Sequence, residues 1–199
     1  RGGKGTISAK LVEEDYINQM FVASTHDYLM FITTEGKAYW IKVHEIPEAS
    51  KTSRGSHIKS LLAVNANEDI TTIVSLKEFS ENNYLFMATA NGVVKKTPTS
   101  DFKNAKSRGM QAVRLDEGDT LVSAILSTGK DELLLVSRRG QALRINEEDV
   151  RPMGRSSRGV AGLKLSEGDE LCSAIRIHTE PDSKILVVTE KGIGKRVDS

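Results

Sequence analysis

Four stretches of the chain share one order of apolar and polar positions. Each contains a run of four apolar residues, continues with Thr or Ser and two mostly polar residues, and then reaches a glycine. A continuous apolar run of this length is typical of a strand buried on both faces, and Thr-x-x-Gly is typical of a hairpin turn in which glycine adopts a positive φ. The four stretches are YLMFITTEGKAYW (28–40), YLFMATANGVVKK (84–96), ELLLVSRRGQALR (132–144) and KILVVTEKGIGKR (184–196).

A second pattern recurs between these hairpins. It begins with Arg-Gly, continues through a partly apolar stretch and ends at an acidic turn, which another apolar strand follows. The opening RGGKG aligns with the start of this pattern, so we interpret it as the beginning of a half-repeat. The other copies are TSRGSHIKSLL (52–62), KSRGMQAVRL (106–115) and SSRGVAGLKL (156–165).

The repeats predict an all-β fold. A period near 50 residues with two hairpins per unit is typical of a propeller-like array of four-stranded blades. Two segments that could be helical, EIPEAS and INEEDVRPMG, contain Pro47 and Pro152 and are interpreted as loops. We therefore predict a single domain over residues 1–199, with repeat units at 28–83, 84–131 and 132–183 and half-repeats at 1–27 and 184–199.

Charge is sorted by position in the repeat, although the 28 Lys and Arg nearly balance the 27 Asp and Glu. Cations gather around the Arg-Gly pattern and acids gather at the turns that follow it. If the repeats become blades, equivalent positions lie at equal heights, and the cations form a band that suits a polyanion. The alternative is that charged loops are simply solvated, which explains single lysines more easily than it explains a shared phase.

The sequence offers no catalytic or metal constellation. His26, His44, His57 and His178 lie far apart and lack zinc-ligand spacing. The single cysteine, Cys172, excludes an intramolecular disulfide and is predicted to be a small core residue. RGGKG lacks the GxxxxGK[ST] frame of a P-loop, and no apolar run approaches the roughly 20 residues that span a bilayer.

With these motifs in view, the chain resembles the C-terminal domain of the DNA gyrase A subunit. RGGKG is similar to the core of that family's signature box, although the glutamine and arginine that usually precede it are missing here. ANGVVKKT (90–97), KVHEIPEAS (42–50) and EKGIGKRV (190–197) are similar to the family's repeats. The related topoisomerase IV subunit has similar blades without an intact box, and its C-terminal domain stays an alternative.

The resemblance implies a β-pinwheel, in which neighbouring blades exchange strands, and an arc of about four blades from a six-bladed domain. It implies that duplex DNA wraps positively around a basic rim, which enables negative supercoiling by a type II topoisomerase. The expected partners are DNA, the gyrase B subunit and the rest of the gyrase A subunit in a heterotetramer, located in the cytoplasm at the nucleoid. ATP and Mg²⁺ would act in the holoenzyme, and this fragment itself would hold no cofactor and no catalytic residue.

The charge pattern and the resemblance together predict a set of DNA contacts. Trp40 occupies a position that is basic in the other repeats and is expected to pack rather than to stack on a base, since wrapped duplex offers no free base face. A propeller-type scaffold that binds an acidic protein is the alternative from another class. The predicted contacts are Arg1, Lys4, Lys51, Arg54, Lys95, Lys96, Lys103, Lys106, Arg108, Arg144, Arg155, Arg158, Lys195 and Arg196, with the box glycines Gly2, Gly3 and Gly5.

Overall fold

The structure, a computed structural model, describes residues 19–50, 53, 55–65, 67–178 and 183–198. Strands dominate this part of the chain, and its only helices are short 3-10 helices at Val43–Glu45, Ile58–Ser60, Thr99–Phe102, Lys106–Arg108 and Glu147–Asp149. The strands are β1 (Tyr28–Thr33), β2 (Lys37–Lys42), β3 (Ile70–Leu76), β4 (Tyr84–Thr89), β5 (Val93–Pro98), β6 (Met110–Gln111), β7 (Leu121–Ser127), β8 (Glu132–Ser137), β9 (Ala142–Asn146), β10 (Val160–Ala161), β11 (Leu171–Ile177), β12 (Lys184–Val188) and β13 (Gly194–Asp198).

The described strands form four antiparallel sheets, in the orders β3-β1-β2-β6, β10-β5-β4-β7, β11-β8-β9 and β12-β13. The edge strand β7 of the second sheet contacts the edge strands β3 of the first sheet and β11 of the third. The fourth strand of the first sheet, β6, follows β4 and β5 in the chain, and β10 likewise follows β8 and β9. Each of the first two sheets therefore borrows a strand from the next repeat, which confirms the predicted pinwheel of four-stranded blades.

Two short runs of backbone hydrogen bonds make this exchange. Residues 105–114, the first exchange segment, place β6 beside β2, and the Ala112 N–H donates to the Gly36 carbonyl at 2.8 Å. Residues 155–164, the second exchange segment, place β10 beside β5, and the Gly162 N–H donates to the Gly92 carbonyl at 2.9 Å. The same bond thus recurs one repeat later, as the sequence pattern indicates.

The apolar runs form the centre of the first two sheets. All but the first residue of β1 and of β4 are buried, as predicted for strands covered on both faces. Burial alternates along β8, and most of β12 is exposed, so the same prediction is wrong for these two strands. In the described part of the chain their sheets hold three and two strands, and less surface is therefore covered.

The turn glycines adopt the predicted positive φ, at Gly36, Gly92, Gly140 and Gly192. Two glycines of the Arg-Gly pattern also do so, for a reason that the sequence did not reveal. Gly109 has φ 72° and ψ 166°, and a Cβ built on it would lie 2.2 Å from Cε1 of the Tyr39 ring. A Cβ on Gly159 (φ 111°) would lie 2.6 Å from the Val94 carbonyl oxygen. These glycines let each exchange segment press against the preceding sheet.

Lys95 and Lys96 on β5 are buried, so the prediction that they contact DNA is corrected. Lys95 is 0% exposed, and its Nζ donates to the carbonyl oxygens of Ala112 and Arg155 at 2.7 and 2.6 Å. Lys96 is 3% exposed, and its Nζ donates to the Glu147 carbonyl oxygen at 2.9 Å. Both ammonium groups are used inside the fold, where backbone carbonyls replace the water that a lysine usually keeps.

Cys172 is exposed, so the prediction of a core cysteine is wrong. The pairing of β11 with β8 shifts register between Leu171 and Ser173, and Cys172 lies at this irregularity. Leu171 before it is buried. An apolar sequence alone does not show where a strand departs from regular pairing.

Gly109→Ala is expected to lower the free energy of unfolding by more than about 2 kcal/mol, because the methyl group adds a clash with Tyr39 to backbone strain. Gly118→Ala is the matched control, since Gly118 has a similar φ of 78° and a Cβ there meets no described atom within 4 Å. Urea unfolding of both variants checks this. Equal losses of stability would contradict the close packing of Gly109 on Tyr39.

The pH dependence of stability tests the burial of Lys95, because burial lowers the pKa of its ammonium to about 8 from 10.5. Between these two values the unfolded chain binds more protons than the folded chain, so the Lys95 contribution to the free energy of unfolding rises with pH. Lys95→Met is expected to lack this rise, whereas Lys77→Met, at an exposed lysine, keeps it. Urea unfolding at about pH 7, 8.5 and 10 measures the difference, and identical profiles for wild type and Lys95→Met would contradict the burial.

Candidate nucleic-acid interface

Successive exchange segments are bonded to one another, not only to the sheets. The Arg114 N–H, at the end of the first segment, donates to the Ser157 carbonyl of the second at 3.2 Å. One repeat earlier, the Ala63 N–H donates to the Ser107 carbonyl at 2.9 Å. Ser107 and Ser157 hold equivalent places, each directly before the arginine of Arg-Gly. The exchange segments of consecutive repeats are therefore adjacent in space.

Exposed cations surround both serines. In the first exchange segment Lys106 and Arg108 flank Ser107, and both side chains are exposed. In the second exchange segment Arg155 and Arg158 are exposed on either side of Ser157. The structure thus brings together four of the predicted contacts, and Lys103 is exposed two residues before the first segment.

Two predicted contacts make ion pairs with the chain's own carboxylates. Arg158 pairs with Asp116, and Arg144 on β9 pairs with Glu132 on β8. All four side chains are substantially exposed. Exposed ion pairs of this kind contribute about 0–1 kcal/mol to the stability of the fold. A phosphate group can therefore replace the carboxylate as the partner of the arginine at a small cost in free energy.

Two further predicted contacts lie on another element of the described chain. Lys195 and Arg196 lie exposed on β13, in the β12–β13 hairpin. Other predicted residues lie outside the described part of the chain: Arg1, Lys4, Lys51, Arg54, Gly2, Gly3 and Gly5.

Two exposed cations that the sequence reasoning did not select belong with the exchange segments. Arg114 and Lys164 are both exposed, and each lies six residues after the arginine of an Arg-Gly pair. This shared spacing was the signal that could have identified them. With these two residues, each of the two exchange segments carries exposed cations near its start and at its end.

Some acidic residues of the turns accept hydrogen bonds within the fold. Glu68 is 0% exposed and accepts a hydrogen bond from the Thr33 hydroxyl. Asp169 accepts from the Ser137 hydroxyl at 2.6 Å, which is the main cause of its lowered pKa, with further help from backbone N–H groups. Asp119 accepts from the Asn91 N–H at 3.0 Å. These carboxylates bind the hairpin turns of their own sheets, which explains why acids recur at one phase of the repeat.

Trp40 is partly buried and packs against other aromatic rings, as expected. Its ring lies 5.0 Å from that of Tyr28 and 5.4 Å from that of Phe79, measured between centroids. Its Nε1–H donates to the Phe102 carbonyl at 3.0 Å. The side chain therefore connects the first sheet to the next repeat.

Within the residues that the structure describes, no group of three or more His, Cys, Asp or Glu side chains could hold a metal ion. The same residues contain no helix with the length and apolar character needed to cross a bilayer. The arrangement of this part of the chain suits an extended anion more than a small substrate, because its cations lie along consecutive loops.

Comparisons with known proteins agree with this architecture. The family described as "DNA gyrase C-terminal domain, beta-propeller" matches residues 1–24, 27–77, 83–128, 131–178 and 183–199. The DNA gyrase A subunit of Treponema pallidum is 59% identical over 157 residues, which are 79% of this chain and 19% of that protein. The chain spans about a fifth of the length of the gyrase proteins that it matches.

Two solved structures share the fold. A DNA gyrase A C-terminal domain matches with a TM-score of 0.78 and 33% identity, covering 98% of this chain and 62% of that one. A DNA topoisomerase IV C-terminal domain matches with a TM-score of 0.83 and 31% identity, covering 95% of this chain and 58% of that one. From the family match, the close relatives and the exchanged strands, it follows that this chain belongs to the DNA gyrase C-terminal domain family.

Proposed function

We propose that this chain binds duplex DNA without sequence specificity along its exchange segments and bends it. The observation that carries the proposal is the bond between successive segments, Arg114 N–H to the Ser157 carbonyl, with exposed cations on both segments. A duplex is a continuous polyanion, and cations on consecutive loops can contact its phosphates in succession.

The energetics favour many weak contacts. Bending a duplex of 20–30 base pairs by 40–90° costs about 1–6 kcal/mol. Each phosphate neutralised by Lys or Arg releases counterions, which supplies affinity without base recognition. Lys106, Arg108, Arg155 and Arg158 could supply such contacts in the described region, and Arg1 and Lys4 of the RGGKG box could add an anchor.

The family relationship supports a role for this bending in a gyrase. In the proposed role the DNA wraps with positive sense, and the enzyme uses the wrapped segment for negative supercoiling as a type II topoisomerase. The remainder of the gyrase A subunit, together with the gyrase B subunit, would complete a cytoplasmic heterotetramer, with ATP and Mg²⁺ bound there. The RGGKG box favours gyrase over topoisomerase IV.

Charge removal tests the interface. Replacing Lys106, Arg108, Arg155 and Arg158 together by Gln is expected to weaken duplex binding and to reduce the salt slope of log K by about 0.9 for each phosphate that the protein no longer neutralises. Lys77→Gln combined with Lys130→Gln is the control, because both lysines are exposed and lie outside the exchange segments. Fluorescence anisotropy between about 50 and 200 mM salt gives both slopes. An unchanged slope in the quadruple variant, or an equal change in the control, would exclude this interface.

A topology assay tests the wrap itself. A relaxed plasmid incubated with the chain and a nicking-closing enzyme is expected to gain a positive shift in linking number as the protein concentration rises. Two-dimensional gel electrophoresis measures the sign. No shift at saturating protein would refute wrapping, and binding with a shallow salt dependence would favour a protein-binding scaffold instead.

A further inference from the structure

Lys95 lies at a junction of the two exchange segments. Its side chain is fully buried on β5, and its Nζ donates to three backbone carbonyl oxygens. The acceptors are Ala112 at 2.7 Å, Arg155 at 2.6 Å and Ser157 at 3.1 Å. One ammonium group therefore uses its three protons on main-chain atoms of two other loops.

The acceptors belong to different repeats. Ala112 is in the first exchange segment, which is attached to the first sheet through the Gly36 carbonyl. Arg155 and Ser157 are in the second exchange segment. Because Lys95 itself is on the second sheet, its side chain connects the first exchange segment to the loop that the third repeat contributes.

The loop that Lys95 contacts is fixed to β5 on both sides. Before it, the Met153 N–H donates to the Lys96 carbonyl at 2.8 Å, and after it Val160 pairs with Val94. Between these bonds two backbone carbonyls of the loop accept from the Lys95 ammonium. The side chains of Arg155 and Arg158 are exposed, so the ammonium is bonded to the backbone of a loop that carries two of the cations proposed to contact phosphate.

Simple core packing does not require a lysine at this position. The equivalent residues, three after the turn glycines of the first and third sheets, are Tyr39 and Leu143. The Tyr39 hydroxyl donates to the Oε2 atom of Glu68 at 3.5 Å. Glu68 belongs to the same repeat as Tyr39 and is not part of an exchange segment. A buried ammonium is costly unless it is fully hydrogen-bonded. Three converging carbonyls meet that requirement and fix the two segments relative to each other.

We propose that Lys95 is a positioning residue, which holds the two exchange segments in the relative placement that a bent duplex requires. This inference rests on the proposed function for its role toward DNA, but the placement itself can be measured without DNA. A binding surface whose supporting contacts are removed is expected to keep its residues and lose their alignment. Lys95→Met should therefore affect DNA bending more than contact with a short duplex.

The first measurement uses the chain alone. Spin labels at Lys103→Cys, two residues before the first exchange segment, and at Ser156→Cys, within the second, report the placement of the two segments as a distance distribution by double electron–electron resonance in a Cys172→Ser background. Lys95→Met is expected to broaden that distance distribution about twofold, while Lys77→Met leaves it unchanged. A distribution of equal width in wild type and Lys95→Met would overturn the positioning role.

The second measurement adds DNA. Lys95→Met is expected to bind a duplex of about 15 base pairs within about twofold of wild-type affinity, since the exposed cations remain. The long-duplex measurement uses about 60 base pairs with a donor dye at one end and an acceptor dye at the other, and this duplex must curve to reach successive segments. With Lys95→Met, we expect most of the energy transfer that wild type induces between the two ends to be lost. Wild-type bending by the Lys95→Met variant would also overturn the proposal.

The two measurements separate the possible failures. If wild type does not bend the long duplex but the spin-label distribution broadens in Lys95→Met, the proposed function fails and the positioning of the segments stands.

Far-UV circular dichroism first checks that the variant is folded. If Lys95→Met is unfolded, it is replaced by Lys95→Gln, which keeps two N–H donors. If both variants are unfolded, Lys95 is a requirement of the fold as a whole and the positioning role is overturned.

Discussion

Each of the first two sheets ends on a strand that the following repeat supplies, and the bonds at Gly36 and Gly92 make that exchange. The exchange does more than cover a sheet edge. It carries an Arg-Gly loop of one repeat onto the sheet of its neighbour, and it bonds consecutive loops to each other through Ser107 and Ser157. The order of the cationic loops along the fold is therefore a consequence of backbone pairing.

The same exchange explains why glycine follows arginine in the Arg-Gly pattern. Gly109 and Gly159 are required for close approach to the preceding sheet, since a side chain there would collide with Tyr39 or with the Val94 carbonyl. The Gly109 N–H is also occupied, because it donates to the Ala105 carbonyl at 2.9 Å. The glycines thus serve the fold, whereas the arginines beside them are exposed.

Much of the fold was accessible from the sequence, because repetition removes the ambiguity of single motifs. The four apolar runs with Thr-x-x-Gly predicted the hairpins, and the Arg-Gly copies predicted units that share a phase. Lys95 and Lys96 were misjudged because residue type alone assigns lysine to the surface, whereas the converging carbonyls that bury them come from segments far away in the chain. The acids at Glu68, Asp119 and Asp169 were grouped correctly, but their hydrogen bonds to the turns appear only once the strands are paired.

A structure of the chain bound to a duplex of about 40 base pairs tests the central claim most directly, because it locates each phosphate relative to the exchange segments. The account predicts phosphate oxygens within hydrogen-bonding distance of Lys106 and Arg108 on one segment and of Arg155 and Arg158 on the next, along one continuous duplex. Phosphates bound elsewhere, with both exchange segments facing solvent, would contradict it.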